Sequence, residues 1–180
     1  MRPRAAAAAL ALLAGCPLPQ AVPEVGLVPG GTLIPAPRIV PEKVRPSSTF
    51  IDVSRTCPEA PQITFHATIS EFDPSATPEV RWFVDYDPVS NSGIQGIPES
   101  PPYPPGSTDT YRDVTPRLFT ASRWQDPSVA VQVVELVTSN GFLAGDGGPL
   151  PNRSPRPNQE TQVFRWVIRY VATGGACTIP

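Results

Sequence analysis

The chain has 180 residues and three cysteines, a length that suits one folded domain with a core of its own. Its 14 basic and 16 acidic residues give a net charge of −2, and no basic face or arginine-aromatic cluster suggests nucleic acid. Proteins that bind nucleic acid need a basic surface, so the composition argues against that function. Proline is the unusual component: there are 26, and their positions show where regular structure must stop.

The first residues have the pattern of a secretion signal. Residues 1–4 include two arginines, and residues 5–14 form an apolar run of alanine and leucine. Ten residues span about 15 Å as a helix, whereas the hydrocarbon core of a bilayer is roughly 30 Å thick. The run is therefore predicted to be a signal peptide and not a transmembrane helix.

The signal ends in Leu13-Ala14-Gly15-Cys16, which resembles the lipobox of bacterial lipoprotein precursors at all four positions. The resemblance implies a diacylglycerol thioether at Cys16, cleavage after Gly15, and acylation of the new amino terminus, for example by palmitate. Two or more acyl chains give stable membrane attachment. Pro17 stands where this family's inner-membrane retention signal has aspartate, which implies the cell outer membrane. A secreted protein without lipid is the alternative.

The composition divides the chain into three parts: a signal peptide over residues 1–15, a proline-rich tether over residues 16–48, and a β-sandwich domain over residues 49–180. Proline removes backbone donors, so the second part is predicted to form neither a continuous helix nor a central strand. Its scattered valine, leucine and isoleucine leave open whether some of residues 17–48 pack on the domain. The prolines of this part lie at positions 17, 19, 23, 29, 35, 37, 41 and 46.

The remaining sequence favours β-strands throughout. The clearest strand, within residues 62–72, alternates apolar Ile63, Phe65, Ala67 and Ile69 with polar residues, which is the period of a half-buried strand. A weaker candidate, residues 111–124, is expected to be interrupted at Pro116, and the third strand is expected to stop at Pro88. The other predicted strands are residues 50–54, 79–87, 128–138 and 161–172.

No segment has the pattern of a long amphipathic helix, so the predicted fold class is all-β. The strand pattern, with Trp82 central in the third strand, resembles an immunoglobulin-like antiparallel β-sandwich. In that order the first and last strands end at the same pole, and Cys57 and Cys177 follow those two strands. An oxidising compartment favours their pairing, so we predict a Cys57–Cys177 disulfide. Two thiols, one of them pairing with another chain, are the alternative.

The sequence gives little support for catalysis. The single histidine, His66, lies on the polar face of a strand, and no nucleophile motif or zinc-ligand set accompanies it. The predictions are therefore no enzyme, no cofactor and no metal. Calcium between Asp73 and Asp146 remains a minor alternative. The carboxylates that follow the second and third strands are expected at opposite poles, so they cannot converge on one ion.

Two aromatic residues are candidate contact residues: Tyr103 in a proline-rich loop and Trp124 after the weaker strand. The main hypothesis is a lipid-anchored, non-enzymatic module of the bacterial envelope that holds a protein partner through loops at one pole or through a sheet edge. The alternative is a module that binds polysaccharide or cell-wall glycan. A glycan-binding module should show exposed aromatic rings in a row, and a protein-binding module should show an apolar patch or an open edge strand.

Overall fold

A computed structural model describes residues 31–73, 76–87, 110–143 and 153–179. The predicted lipobox cysteine Cys16, the candidate contact residue Tyr103 and the candidate calcium ligand Asp146 lie outside these residues. In the parts of the chain that the structure describes, no helix has both the length and the apolar character of a membrane span.

The regular secondary structure of the described residues is almost entirely β. A short 3-10 helix, Pro41–Lys43, is the exception, and it lies between the first two strands. The strands are β1 (Arg38–Ile39), β2 (Phe50–Ser54), β3 (Gln62–Ser70), β4 (Glu79–Val84), β5 (Tyr111–Thr120), β6 (Val131–Ser139) and β7 (Gln162–Val171).

The strands form two sheets that pack face to face. One sheet has the order β1-β3-β5 and is antiparallel, and the other has the order β2-β7-β6-β4. In the second sheet β2 runs parallel to β7, and the other pairs are antiparallel. One side of the sandwich therefore holds β1, β3 and β5, and the other holds β2, β4, β6 and β7. The predicted all-β sandwich is confirmed.

The core lies between the two sheets and is formed by the predicted alternation. The inward side chains of β3, from Ile63 to Ile69, are buried. They pack against Trp82 and Trp166, and the Trp166 ring lies 4.6 Å from that of Phe65. Burial of one such side chain stabilises the fold by about 1.5–3 kcal/mol, so this aromatic centre is a main source of stability.

Part of the predicted tether packs on the sandwich. Ile39 and Val44 are buried, and Val40 N–H donates to Thr68 O at 2.9 Å. The Trp166 indole Nε1–H donates to Pro46 O at 2.9 Å, which joins this segment to the core. Of the two possibilities that the sequence left open, packing on the domain is therefore the one observed for residues 34–46.

Two strand boundaries differ from the prediction. β5 passes through Pro116 without a break, because Thr115 and Pro116 together oppose His66 in a β-bulge, a position that tolerates a missing N–H. β4 ends at Val84, before Pro88, because Asp85 turns to a positive φ of 47°. The Asp85 carboxylate then accepts a hydrogen bond from Val133 N–H at 2.7 Å.

The predicted disulfide is present. Cys57 and Cys177 are bonded, with their Cα atoms 5.5 Å apart, and 120 residues separate them in sequence. Because β2 and β7 are parallel, both end at the same pole, which brings the two cysteines together. We call this end of the sandwich the disulfide pole.

Candidate functional site

Trp124 is more enclosed than the sequence predicted. Its ring is half-buried and packs against the main core, and its Nε1–H donates to Cys57 O at 3.4 Å. Arg55 fixes the surrounding turn by donating to the carbonyls of Trp124, Asp126 and Val129 at 2.6–3.0 Å. The tryptophan therefore stabilises the disulfide pole and does not present a flat ring to solvent.

The polar candidates remain dispersed. His66 is exposed on the outer face of β3, and its backbone N–H and C=O pair with Arg45. Asp73 follows β3 and Asp85 follows β4, so they lie at opposite poles as expected. Asp85 has a structural role, since it also accepts a hydrogen bond from Gln132 Nε2 at 2.8 Å. Within the described ranges, no three His, Cys, Asp or Glu residues are grouped so as to hold a metal ion.

A partly exposed apolar row crosses the outer face of the four-stranded sheet. The residues of β7 that point away from the core alternate Val163, Arg165, Val167, Arg169. The strand register places Val167 between Phe50 of β2 and Val133 of β6. Phe50 is 57% exposed, although large aromatic side chains are usually buried in a folded domain. We call this surface the open face, and it consists of Phe50, Asp52, Val131, Val133, Arg165, Val167 and Arg169.

Two arginines border the apolar row on either side. Arg169 makes two hydrogen bonds to the Asp52 carboxylate, at 2.6 and 2.8 Å, and its guanidinium lies 5.4 Å from the centre of the Phe50 ring. Arg165 donates to Glu135 Oε1 at 2.6 Å. Arg153 also pairs with Glu135, at 3.0 Å, so one buried carboxylate is shared by two arginines. The open face is therefore apolar at its centre and slightly cationic at its margin.

The rest of the same outer face is covered. Phe83 and Val137 are buried beneath Phe142, which comes from the loop after β6. The Arg81 guanidinium lies 4.3 Å from the centre of the Phe142 ring. Tyr86 packs edge-on against Phe83, and partial burial raises the pKa of its hydroxyl. A loop thus closes the part of the face near β4 and leaves the part near β2 exposed.

The outer edge of β2 is closed as well. The Ser48 hydroxyl donates to Phe50 O at 2.6 Å and accepts from Phe50 N–H at 3.3 Å. Further along, Ala176 N–H donates to Asp52 O at 2.9 Å, and Ser54 N–H donates to Ala176 O at 3.3 Å. These groups occupy positions that an added strand would need. This edge of the sheet is therefore closed to an added strand, whereas the outer face beside it is not covered.

The exposed aromatic rings of the described residues do not form a row. Phe50 lies on the open face, whereas Phe72 and Tyr111 lie at the pole opposite the disulfide, because Tyr111 pairs with Ser70 at the end of β3. The Lys43 ammonium is 4.2 Å from the centre of the Tyr111 ring. A glycan-binding platform needs neighbouring rings. The three exposed rings of the described residues are not arranged as such a platform.

The open face was not among the predicted sites, although the sequence contains a signal for it. Arg165 and Arg169 must point to solvent, so Val163 and Val167, two residues away, must do the same. What the sequence did not show was which part of this face a loop would cover.

Comparison with known proteins found no match to this chain among family models, curated proteins or solved structures.

Proposed function

We propose that this protein is a lipid-anchored, non-enzymatic module of the bacterial envelope that binds a protein partner through its open face. The lipobox at Leu13–Cys16 supports the anchor, and the pairing of Cys57 with Cys177 suits an oxidising compartment. The observation that carries the binding function is the apolar row of Phe50, which is 57% exposed, with the half-buried Val167 and Val133 beside it.

The chemistry of the open face suits a protein partner. Aromatic residues and arginine are enriched in protein interfaces, and a flat sheet surface provides contact without a deep pocket. Burying one apolar side chain of this size contributes about 1.5–3 kcal/mol, so three or four of them can supply a large share of the affinity. Because Arg169 and Arg165 are already paired with carboxylates, covering them exposes no unpaired charge to a dry interface.

Site-specific crosslinking in the native cell tests this proposal. A photoreactive amino acid at Val131, on the open face, should give a discrete adduct with one protein. The same amino acid at Leu118, on the outer face of the other sheet, should not. Equal crosslinking from both positions, or none from Val131 and from other open-face positions, would contradict the proposal.

A matched pair of substitutions separates partner binding from folding. Phe50 and Leu118 are 57% and 56% exposed, so replacing either with serine removes a similar apolar surface. We expect Phe50→Ser to reduce the Val131 adduct at least tenfold and Leu118→Ser to leave it unchanged. Thermal unfolding of both variants should show that the fold is intact.

A further inference from the structure

A second exposed apolar group lies at the pole opposite the disulfide, where β3 ends and β7 begins. It consists of Leu33, Ile34 and Phe72, and we call it the Phe72 pole. Phe72 is 78% exposed, the highest value among the large apolar residues that the structure describes. Two shallow grooves of about 390 and 510 Å³ meet here and share Pro35, Glu71 and Phe72 in their walls.

The chain enters the sandwich at this same pole. Ile34 N–H donates to Asn158 O at 2.7 Å, and Glu160 N–H donates to Ile34 O at 3.0 Å, just before β7 begins. Fifteen residues separate Gly31 from Cys16, and even fully extended they span only about 50 Å. A ten-residue strand is itself about 33 Å long. A lipid on Cys16 would therefore keep this pole within about 50 Å of the membrane, whereas the disulfide pole, one strand length further from the attachment point, could lie roughly 80 Å away.

We propose that the Phe72 pole rests on the membrane surface, with Phe72, Ile34 and Leu33 in the interfacial layer. The proposal rests on the lipid anchor of the proposed function. Phenylalanine and leucine partition readily into this layer, and an anchor raises their local concentration there. Since the strands run from pole to pole, the open face then stands sideways and remains accessible to a partner in the envelope.

The charges around the grooves predict which lipids suit this contact. Arg38 lines them together with the three carboxylates of Glu71, Asp73 and Glu160. An acidic rim is repelled by an anionic surface and tolerated by a zwitterionic one. We therefore expect the Phe72 pole to approach a bilayer of zwitterionic phosphatidylcholine more closely than it approaches a bilayer rich in anionic lipid. On phosphatidylcholine, the contact should depend little on salt.

Quenching by brominated lipids tests the proposal on the full-length lipidated protein in phosphatidylcholine vesicles. In Phe72→Trp, the new indole should lose at least half of its fluorescence to bromine on the acyl chains. Leu118→Trp is the matched control and should not be quenched beyond the wild-type protein. The native tryptophans give a constant background, because Trp82 and Trp166 are buried and Trp124 lies at the disulfide pole. Ile34→Trp provides a second probe of the pole.

Flotation of the vesicles separates the two proposals. If the protein floats with the vesicles and positions 72 and 34 are quenched no more than position 118, the pole proposal is overturned and the anchor stands. If the purified protein carries no lipid and does not float, the anchor is overturned and the pole proposal falls with it. Quenching at positions 72 and 34 alone is the result that supports the proposal.

Discussion

At the scale of single residues, a short polar chain ties three strands together near the disulfide pole. The Tyr170 hydroxyl donates to Gln132 Oε1, and Gln132 Nε2 donates to the Asp85 carboxylate at 2.8 Å. Burial, with the nearby Asp85 charge as the second cause, raises the pKa of Tyr170 to about 12. The folded protein therefore holds this phenol in its neutral form over a pH range in which the unfolded chain would ionise it.

The raised pKa of Tyr170 predicts that the free energy of unfolding falls at alkaline pH because of this one residue. Below pH 10, the ordinary pKa of tyrosine, both states are protonated and the contribution of Tyr170 is complete. Between pH 10 and about pH 12 only the unfolded state loses the proton, so the free energy of unfolding falls by roughly 1.4 kcal/mol per pH unit. Denaturant unfolding of the wild type and Tyr170→Phe at pH 8, 10 and 11 measures the difference.

At pH 8 we expect Tyr170→Phe to be less stable by about 1 kcal/mol, because it loses the hydrogen bond to Gln132. The gap should close towards pH 11, since phenylalanine does not ionise. A gap that stays constant across this range would show that the phenol is not held neutral by the fold.

At the scale of elements, the segment after β7 connects the two sheets. Ala176 pairs with Val53 of β2, Ile179 pairs with Ile63 of β3, and the Cys57–Cys177 disulfide lies between these contacts. The segment closes the β2 edge at a place where the sheet would otherwise end in unpaired backbone groups. The disulfide thus holds β2 and helps to join the two sheets.

Replacing both cysteines with alanine should destabilise the protein without changing its strand order. Closing a loop of 120 residues stabilises by roughly 5 kcal/mol in the chain-entropy description, and measured values are commonly 2–4 kcal/mol. We expect a loss in this range from denaturant unfolding, together with faster amide exchange at Ser54 and Ala176. Exchange at Val134 in β6 serves as the internal control. Unchanged stability would mean that the segment is held by its other contacts alone.

At the scale of the whole molecule, the proposed anchor, the Phe72 pole and the open face predict how the domain would be oriented on the membrane. The anchor would bring the Phe72 pole to the membrane. Because the open face runs along the strands, it would then stand beside the membrane contact and not within it. This arrangement separates membrane contact from partner contact, because they use different surfaces of one sandwich.

The proposed lipid anchor can be tested by replacing Cys16, whose sulfur would carry the lipid. Cys16→Ser should abolish incorporation of a labelled fatty acid and the matching mass increase of the mature protein. Replacing Cys57 and Cys177 together should leave lipid incorporation intact, because neither follows a lipobox. Labelled fatty acid on the Cys16→Ser protein would contradict the assignment.

Much of the fold could be read from the sequence because it depends on near neighbours. The alternation of apolar and polar residues predicted which side of β3 faces the core. The positions of Cys57 after β2 and of Cys177 after β7 predicted the disulfide. Pro116 shows where this reasoning fails. Its effect on β5 depended on a bulge against β3, about 50 residues away in sequence, which no local pattern contains.

The sequence by itself determined that the domain is built of strands and which side of β3 faces the core, since both follow from local period. It also predicted the Cys57–Cys177 pair, but only through the oxidising compartment and the strand order that the resemblance to an immunoglobulin-like sandwich implies. Only the tertiary structure decided that residues 34–46 join the domain and that the outer face near β2 stays exposed. Both depend on contacts between distant residues, such as Trp166 with Pro46 across 120 positions and Asn140 with Pro35 across 105. Such contacts form only when the two sheets are already packed, so they leave no periodic signal in the chain.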